Sequence, residues 1–145
     1  MNTIFVISGH GSFATGMQST IELIVGKQDN VYYVDFTIDD NDVSLMEKLI
    51  KIIEENNDKQ ILLIGDLLGG TPFKTMAEIA NERDNIEVVV GCNVGSIMEA
   101  ILGAGDLPLL EIADKMVETS RNSTFRFEKI SIDESVSSDS YEDGI

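Results

Sequence analysis

Cysteine and histidine are almost missing from this chain. Its 145 residues include one cysteine, Cys92, and one histidine, His10. A single cysteine cannot form a disulfide within the chain, which is typical of proteins kept in a reducing cytoplasm. One cysteine and one histidine also argue against a zinc site made of these ligands. We therefore expect a cytoplasmic protein without a metal site.

Long apolar runs and positive charge are scarce as well. The longest apolar runs, such as Ile61–Ile64 and Val88–Val90, have the length of strands and are too short to span a bilayer. No basic segment followed by an apolar stretch opens the chain, so we expect no secretion signal. The formal net charge of −16 argues against nucleic-acid binding, because phosphate backbones are bound by clusters of Lys and Arg.

The remaining composition predicts one globular domain. Hydrophobic residues make up 43% of the chain and charged residues 25%, as in ordinary soluble proteins. Residues 131–145 differ, because they are rich in Ser, Asp and Glu and contain no Lys or Arg. We predict a domain over residues 1–130, followed by a flexible acidic tail over residues 131–145.

Short apolar runs alternate with amphipathic segments along the domain. The apolar runs predict five strands, over Thr3–Ser8, Val31–Phe36, Ile61–Gly65, Ile86–Val90 and Thr124–Ile130. The amphipathic segments predict five helices, over Phe13–Val25, after a capping Asp42, over Pro72–Asn81, around residues 97–102, and over Leu107–Ser120. Strands that alternate with helices indicate an α/β fold with a mainly parallel sheet and helices on both faces.

The fifth predicted strand has a different character. Phe125 and Phe127 alternate with Arg126 and Glu128, which predicts one covered face and hence an edge position. No helix is predicted after it. We therefore expect it to pair antiparallel, with another subunit as one candidate partner.

Three loops of unusual composition follow predicted strands, over Gly9–Ser12, Asp66–Phe73 and Gly91–Ser96. In open parallel sheets, ligands bind at the carboxyl ends of the strands. If the first and third strands are neighbours, His10 and Asp66 lie side by side there. A carboxylate beside an imidazole accepts a hydrogen bond from one ring nitrogen and leaves the other free to attack an electrophile. We therefore predict His10 and Asp66 as catalytic residues.

Glycine-rich turns precede two of the predicted helices. Backbone N–H groups and the helix dipole at such a start bind anions, and a nearby hydroxyl adds a donor. Each glycine alone also fits ordinary turn geometry, and Asp66 alone fits a turn or cap residue. Beside a nucleophilic imidazole, however, the turns indicate a phosphohistidine site. The predicted phosphate-binding residues are Gly11, Ser12, Gly69, Gly70 and Thr71.

Two other functions fit part of the pattern. The segment Gly9-x-Gly11-x-x-Ala14, with Asp35 at the end of the next strand, matches the loose dinucleotide-binding fingerprint. That hypothesis explains neither His10 nor the second glycine-rich turn. A histidine phosphatase would have an arginine before the histidine and a second histidine, whereas this chain has a glycine there and a single histidine.

The loops resemble those of a known family. Gly9-His10-Gly11 with Gly16 resembles the phosphorylation loop of the enzyme IIA component of the mannose class (mannose/fructose/sorbose) of the bacterial phosphoenolpyruvate-dependent sugar phosphotransferase system. The segment Asp66-x-x-Gly69-Gly70-Thr71-Pro72-Phe73 resembles its second motif, and Val34-Asp35-Phe36 and Gly91-x-Asn93 are further matches. The similarity covers about residues 1–130 and leaves the acidic tail outside.

This resemblance implies a phosphotransferase. It implies that the histidine phosphocarrier protein phosphorylates His10, that Asp66 is the hydrogen-bonded partner of His10, and that the phosphoryl group passes to a IIB component. The IIB component then phosphorylates a sugar that enters through membrane IIC and IID components. The resemblance further implies strand order 2-1-3-4, with Thr124–Ile130 as an antiparallel strand exchanged within a homodimer, and no cofactor or metal.

Partner contacts and the role within the family stay open. We expect Phe13 and Phe73, beside the predicted site, to form an apolar landing surface for both protein partners, unless both pack in the core. We predict Asn93 as a further partner-binding residue, although Val94-Gly95-Ser96 follows it where the family often has a proline. The chain resembles less closely the phosphoryl-donor subunit of dihydroxyacetone kinases, and a regulatory IIA-like domain is a further alternative.

Overall fold

The computed structural model describes residues 2–131, in which β-strands alternate with helices. Each of four strands is followed by a helix, and a fifth helix comes last. The elements are β1 (Thr3–His10), α1 (Phe13–Val25), β2 (Val31–Phe36), α2 (Asp42–Glu55), β3 (Gln60–Gly65), α3 (Gly70–Asn81), β4 (Ile86–Val90), α4 (Val94–Gly103) and α5 (Leu109–Ser123). The predicted α/β class is confirmed.

The four strands form one parallel sheet in the order β2-β1-β3-β4. On one side of β1, Gly9 is opposite Asp35 and His10 is opposite Phe36 of β2. On the other side, Ser8 is opposite Gly65, the last residue of β3. The strand order therefore reverses between β1 and β3, which is where ligands bind in open sheets of this kind. The strand order expected from the family resemblance is confirmed.

Helices cover both faces of the sheet, and each face has its own apolar cluster. On one face Phe5 and Ile7 of β1 pack with residues of α1, α4 and α5. On the other face Ile4 and Val6 pack with residues of α2 and α3. Alternate residues of a strand point to opposite faces, so a strand covered twice is apolar throughout. The side chain of His10 is in the same alternation as Ile4 and Val6, and so it points to the face that α2 and α3 cover.

The end of β1 differs from the prediction. β1 ends at His10 instead of Ser8, because Gly9 and His10 still pair with β2. Pairing with a neighbouring strand, which apolar periodicity does not report, extends the strand by two residues. The ring of His10 is therefore anchored in the sheet instead of carried by a loop.

The limits of three helices also differ from those predicted. α3 begins at Gly70 instead of Pro72, after an N-terminal cap at Gly69. The cap of α2 is Asn41 and not Asp42, because the Asn41 side chain accepts the N–H of Ser44 at 2.9 Å. α5 runs over Leu109–Ser123, three residues further than predicted at its carboxyl end and two residues later at its start.

The predicted fifth strand is not formed within the described chain. In the part of the chain that the structure describes, residues 124–131 are not a strand. The side chains of Phe125 and Phe127 are exposed there. The exchanged strand thus stays a prediction, and the predicted acidic tail lies outside the described residues except for Ser131.

Candidate functional site

His10 is the last residue of β1, and its side chain is 45% exposed. The ring meets the ring of Phe36, its neighbour in register on β2, edge to face with centroids 6.0 Å apart. The strand fixes the backbone and Phe36 supports one side of the ring. An imidazole placed in this way keeps its position while remaining open to a partner.

Asp66 follows β3 directly and lies against His10. Its Oδ2 accepts the backbone N–H of His10 at 2.9 Å and lies 2.8 Å from the ring Nδ1. Its Oδ1 accepts the N–H of Leu67 at 2.9 Å. The two predicted catalytic residues are therefore together. A carboxylate on Nδ1 favours the tautomer that carries its proton there, so that the lone pair is on Nε2.

These hydrogen bonds also set the charge of Asp66. Its side chain is only 12% exposed, and burial raises its pKa. The hydrogen bonds from the His10 backbone and ring and from the Leu67 N–H outweigh burial and hold the pKa of Asp66 below its ordinary value. Asp66 is therefore a carboxylate at neutral pH, able to accept a hydrogen bond from Nδ1–H and to balance a positive ring.

Gly70 places the start of α3 against the other ring nitrogen. A Cβ added to Gly70 would lie 2.9 Å from Nε2 and 2.8 Å from Cε1 of His10. The first N–H groups of a helix have no carbonyl partner inside it. In α3 these belong to Gly69, Gly70 and Thr71, because Pro72 has none. The free nitrogen thus faces a helix end suited to an anion.

Gly9 is required for the packing beneath the site. A Cβ at this position would lie 2.6 Å from Cδ2 of Phe13 and 2.8 Å from Cγ of Asp66. Phe13 is half-buried and packs against the cluster shared by α1, α4 and α5. Its ring and the Asp66 carboxyl therefore occupy the space that a side chain would need.

The turn after His10 leads into α1. Gly11 has a φ of +60°, and its N–H donates to the carbonyl of Phe36 at 2.8 Å. Ser12 is the N-terminal cap of α1, with no capping bond from its side chain among the described residues. Asp35 of β2 instead holds the helix start through two hydrogen bonds from Thr15. A carboxylate engaged in this way does not fit the ribose-binding acid of the dinucleotide hypothesis.

The other predicted partner residues lie further out. Phe73 is half-buried on α3 and lines an open groove between α3 and β4. Asn93 caps α4, since its Oδ1 accepts the N–H of Ser96 at 2.9 Å, and its amide donates to Ser123 Oγ at 2.8 Å. β4 is the second strand away from β1, so the structure does not bring Asn93 to His10.

Exposed apolar side chains around His10 were missed from the sequence. Leu67 and Leu68 follow Asp66, and Leu68 is 77% exposed. Ile38, two residues after Phe36, is fully exposed on a loop held by Asp40. Hydrogen bonds from Lys48, the loop backbone and a helix hydroxyl hold the pKa of Asp40 well below its usual range. The sequence signal that could have found them was the pair Leu67-Leu68 directly after the predicted catalytic residue Asp66.

Residues 2–131 contain neither a metal-binding cluster nor a membrane-spanning helix. No group of three or more His, Cys, Asp or Glu side chains is placed to bind a metal ion in this part of the chain. Within the same residues, no helix combines the length and the apolar character needed to cross a membrane.

Known proteins share this sequence pattern. The family model EIIA-man, described as PTS system fructose IIA component, matches residues 4–117. The PTS system mannose-specific EIIAB component of Escherichia coli (strain K12) is 31% identical over 123 residues, which cover 83% of this chain and 38% of that protein. The PTS system sorbose-specific EIIA component of Lacticaseibacillus casei is 26% identical over 113 residues, with coverage of 78% and 82%.

Solved structures share the fold. Phosphotransferase system component EIIA from Streptococcus agalactiae is 30% identical with a TM-score of 0.76, covering 86% of this chain and 96% of that one. The mannose/sorbose specific IIA subunit from Enterococcus faecalis has a TM-score of 0.83 at 22% identity, covering 91% and 99%. The chain spans 38% of the length of the Escherichia coli relative, against 82% of the sorbose-specific one. The chain therefore belongs to the EIIA-man family and is a mannose-class IIA component of the phosphotransferase system.

Proposed function

We propose that this protein carries phosphoryl groups between two other proteins of a sugar phosphotransferase system. It accepts the group from the histidine phosphocarrier protein onto His10 and passes it to a IIB component, for sugar uptake through membrane IIC and IID components. The observation that carries this proposal is the 2.8 Å contact of Asp66 Oδ2 with Nδ1 of His10. It leaves Nε2 as the nucleophile, beside the first turn of α3.

The transfer forms one bond and breaks one. The lone pair of His10 Nε2 attacks the phosphorus of the donor phosphohistidine, and the P–N bond of the donor breaks. The electron pair of that bond returns to the donor ring. His10 then carries the phosphoryl group on Nε2 and a proton on Nδ1, so its ring is positively charged. The Asp66 carboxylate stabilises that charge through the Nδ1–H hydrogen bond.

The phosphoryl group would lie between two helix starts. The start of α3 offers the N–H groups of Gly69, Gly70 and Thr71 and the hydroxyl of Thr71. The start of α1 offers the turn of Gly11 and Ser12. Phosphoryl transfer depends mainly on alignment and on stabilisation of negative charge, which such donors provide. This arrangement supports the predicted phosphate-binding residues.

Protein partners fit the surroundings of the site. The side chains of Ile38 and Leu68 are exposed on loops that follow the two strands next to β1. Exposed apolar groups around a reactive side chain are typical of a protein-binding surface. We also propose Phe73, half-buried on α3, and Phe13 as partner contacts. We further propose that Thr124–Ile130 is exchanged between subunits of a homodimer and that the protein acts in the cytoplasm.

Phosphorylation by purified components tests the proposal. We expect phosphoenolpyruvate, enzyme I and the histidine phosphocarrier protein to add one acid-labile phosphate per chain, seen by intact mass and by ³¹P NMR as the Nε2 isomer of phosphohistidine. His10→Ala should accept none. Labelling of His10→Ala, or the Nδ1 isomer in the unaltered chain, would overturn the assignment.

The acceptor distinguishes transport from the other family roles. We expect phosphorylated protein to lose its phosphate to the IIB component encoded beside it. Transfer to a dihydroxyacetone kinase subunit but not to IIB would favour the donor-subunit alternative. The absence of IIB, IIC and IID genes nearby would favour a regulatory domain.

A further inference from the structure

A carboxylate that the proposed chemistry does not use, Asp35, lies next to the site. It belongs to β2, where it is opposite Gly9, the residue before His10. The backbone N–H of Thr15 donates to Oδ1 of Asp35 at 3.0 Å, and the hydroxyl of Thr15 donates to Oδ2 at 2.7 Å. Both carboxylate oxygens are thus engaged by one residue of α1.

These two bonds replace the usual cap of α1. Thr15 is the third residue of the helix, and its N–H is one that a capping side chain normally accepts. Ser12 occupies the cap position, but its side chain makes no capping bond in the described chain. Asp35 caps the helix from the neighbouring strand, which leaves the Ser12 hydroxyl for another partner. The N–H groups of Ser12, Phe13 and Ala14 also find no carbonyl inside α1.

The turn between His10 and α1 is held from both neighbouring strands. On the β3 side, Asp66 accepts the N–H of His10 at 2.9 Å. On the β2 side, the carbonyl of Phe36 accepts the N–H of Gly11 at 2.8 Å, and Asp35 holds the helix that follows. Loss of Asp35 would release the helix end of this turn and leave the contacts of the ring with Asp66 in place.

We propose that Asp35 is a positioning residue for phosphoryl transfer to His10, an inference that rests on the proposed function. By holding Thr15, Asp35 keeps the amino end of α1 beside the ring, where Ser12 and the first N–H groups of the helix receive the transferred group. Asp35 acts through Thr15 and not on the reacting atoms. Its loss therefore slows transfer while the His10–Asp66 pair stays intact.

Three variants separate positioning from charge and from general stability. Asp35→Ala removes both hydrogen bonds. Asp35→Asn keeps an acceptor for the Thr15 N–H and removes the charge. Asn41→Ala is the matched control, because it also removes a side chain that accepts an N–H at the start of a helix. The side chain of Asn41 accepts the N–H of Ser44 in α2 at 2.9 Å.

The rate of single-turnover transfer from the phosphorylated carrier protein is the first measurement. We expect Asp35→Ala to slow it by roughly 10- to 100-fold, the cost of misplaced groups around a reacting centre. Asp35→Asn should restore most of the rate, and Asn41→Ala should match the unaltered protein. Ring ¹⁵N chemical shifts of His10 should be the same in all four proteins, because the Nδ1–Asp66 contact is unchanged.

Several results would overturn the inference. Transfer to Asp35→Ala at the unaltered rate would do so, as would equal slowing in Asn41→Ala or in Asp35→Asn. If Asp35→Ala does not fold, Asp35→Leu replaces it, because leucine fills the space of the carboxylate and accepts neither hydrogen bond from Thr15. An unaltered rate in Asp35→Leu then refutes positioning by Asp35. Labelling of His10→Ala would instead refute the proposed function itself.

Discussion

Gly70→Ala tests whether the free nitrogen of His10 faces the start of α3. The added Cβ would lie 2.8 Å from Cε1 and 2.9 Å from Nε2, whereas ordinary van der Waals contacts begin at 3.4 Å. The ring must therefore move by about 0.6 Å or turn away. Because a misplacement of about 1 Å costs roughly 100-fold in rate, we expect transfer to His10 to slow by about 10-fold.

The substitution also strains the backbone, and a control separates the two effects. Gly70 has a φ of +79°, and alanine in this region costs roughly 1–2 kcal/mol of stability. Gly91 has a nearly equal φ of +76°, but its added Cβ would meet nothing within 4 Å among the described residues. Gly91→Ala should therefore lose similar stability. It should not slow phosphorylation by the carrier protein.

Two measurements on these variants decide the outcome. Denaturant unfolding gives the stability of each, and quenched-flow transfer from the phosphorylated carrier gives the rate. His10 is partly exposed, so its ring can give way, and we expect the two variants to have unfolding free energies within about 1 kcal/mol of each other. If Gly70→Ala is phosphorylated as fast as Gly91→Ala, the placement of Nε2 beside α3 is wrong.

Four other predictions concern the neighbours of His10. Asp66→Ala should slow phosphorylation by about 100-fold or more, because the ring loses control of its tautomer, and an unchanged rate would remove Asp66 from the mechanism. The contribution of the Asp66 charge to the free energy of unfolding is the difference between the unaltered protein and Asp66→Asn. It should be complete at neutral pH and should disappear as the pH falls through the lowered pKa of Asp66, below the ordinary 3.8. A contribution that grows in acid would contradict that direction. Gly9→Ala should cost about 1–3 kcal/mol in denaturant unfolding, because its Cβ overlaps Phe13 and Asp66, and an unaltered midpoint would refute the packing. Leu68→Ser should leave stability unchanged and weaken carrier binding about 5-fold by calorimetry, whereas unaltered affinity would exclude Leu68 from the contact surface.

The sequence predicted the fold well where apolar periodicity decides structure. The limits of α1, β2 and β4 are those expected, because each is marked by a clear change in pattern. The end of β1 and the start of α3 were missed. Both depend on glycine: Gly9 still pairs with β2, and Gly70 begins a helix at a positive φ. Strand order came from the family resemblance, since periodicity does not specify which strands pair.

The site was predictable only in part. His10 ends β1 and Asp66 follows β3, so the sequence places them together once these two strands are neighbours, an order that came from the family resemblance. The contact of Asp35 with Thr15 depends on the register of β1 and β2 and on where α1 begins, which composition does not encode. The partner role of Asn93 stays a prediction; the sequence did not indicate that its polar groups cap α4 and bind α5.

The anchoring of His10 at the end of a central strand limits how exchange can occur. A ring held by Asp66 and Phe36 presents one nitrogen toward one side of the protein. If the protein carries phosphoryl groups as proposed, donor and acceptor use the same docking area in turn, without a ternary complex. Turnover should follow ping-pong kinetics, with each partner competitively inhibiting the other when in excess. Short-lived complexes should therefore give faster turnover than tight ones.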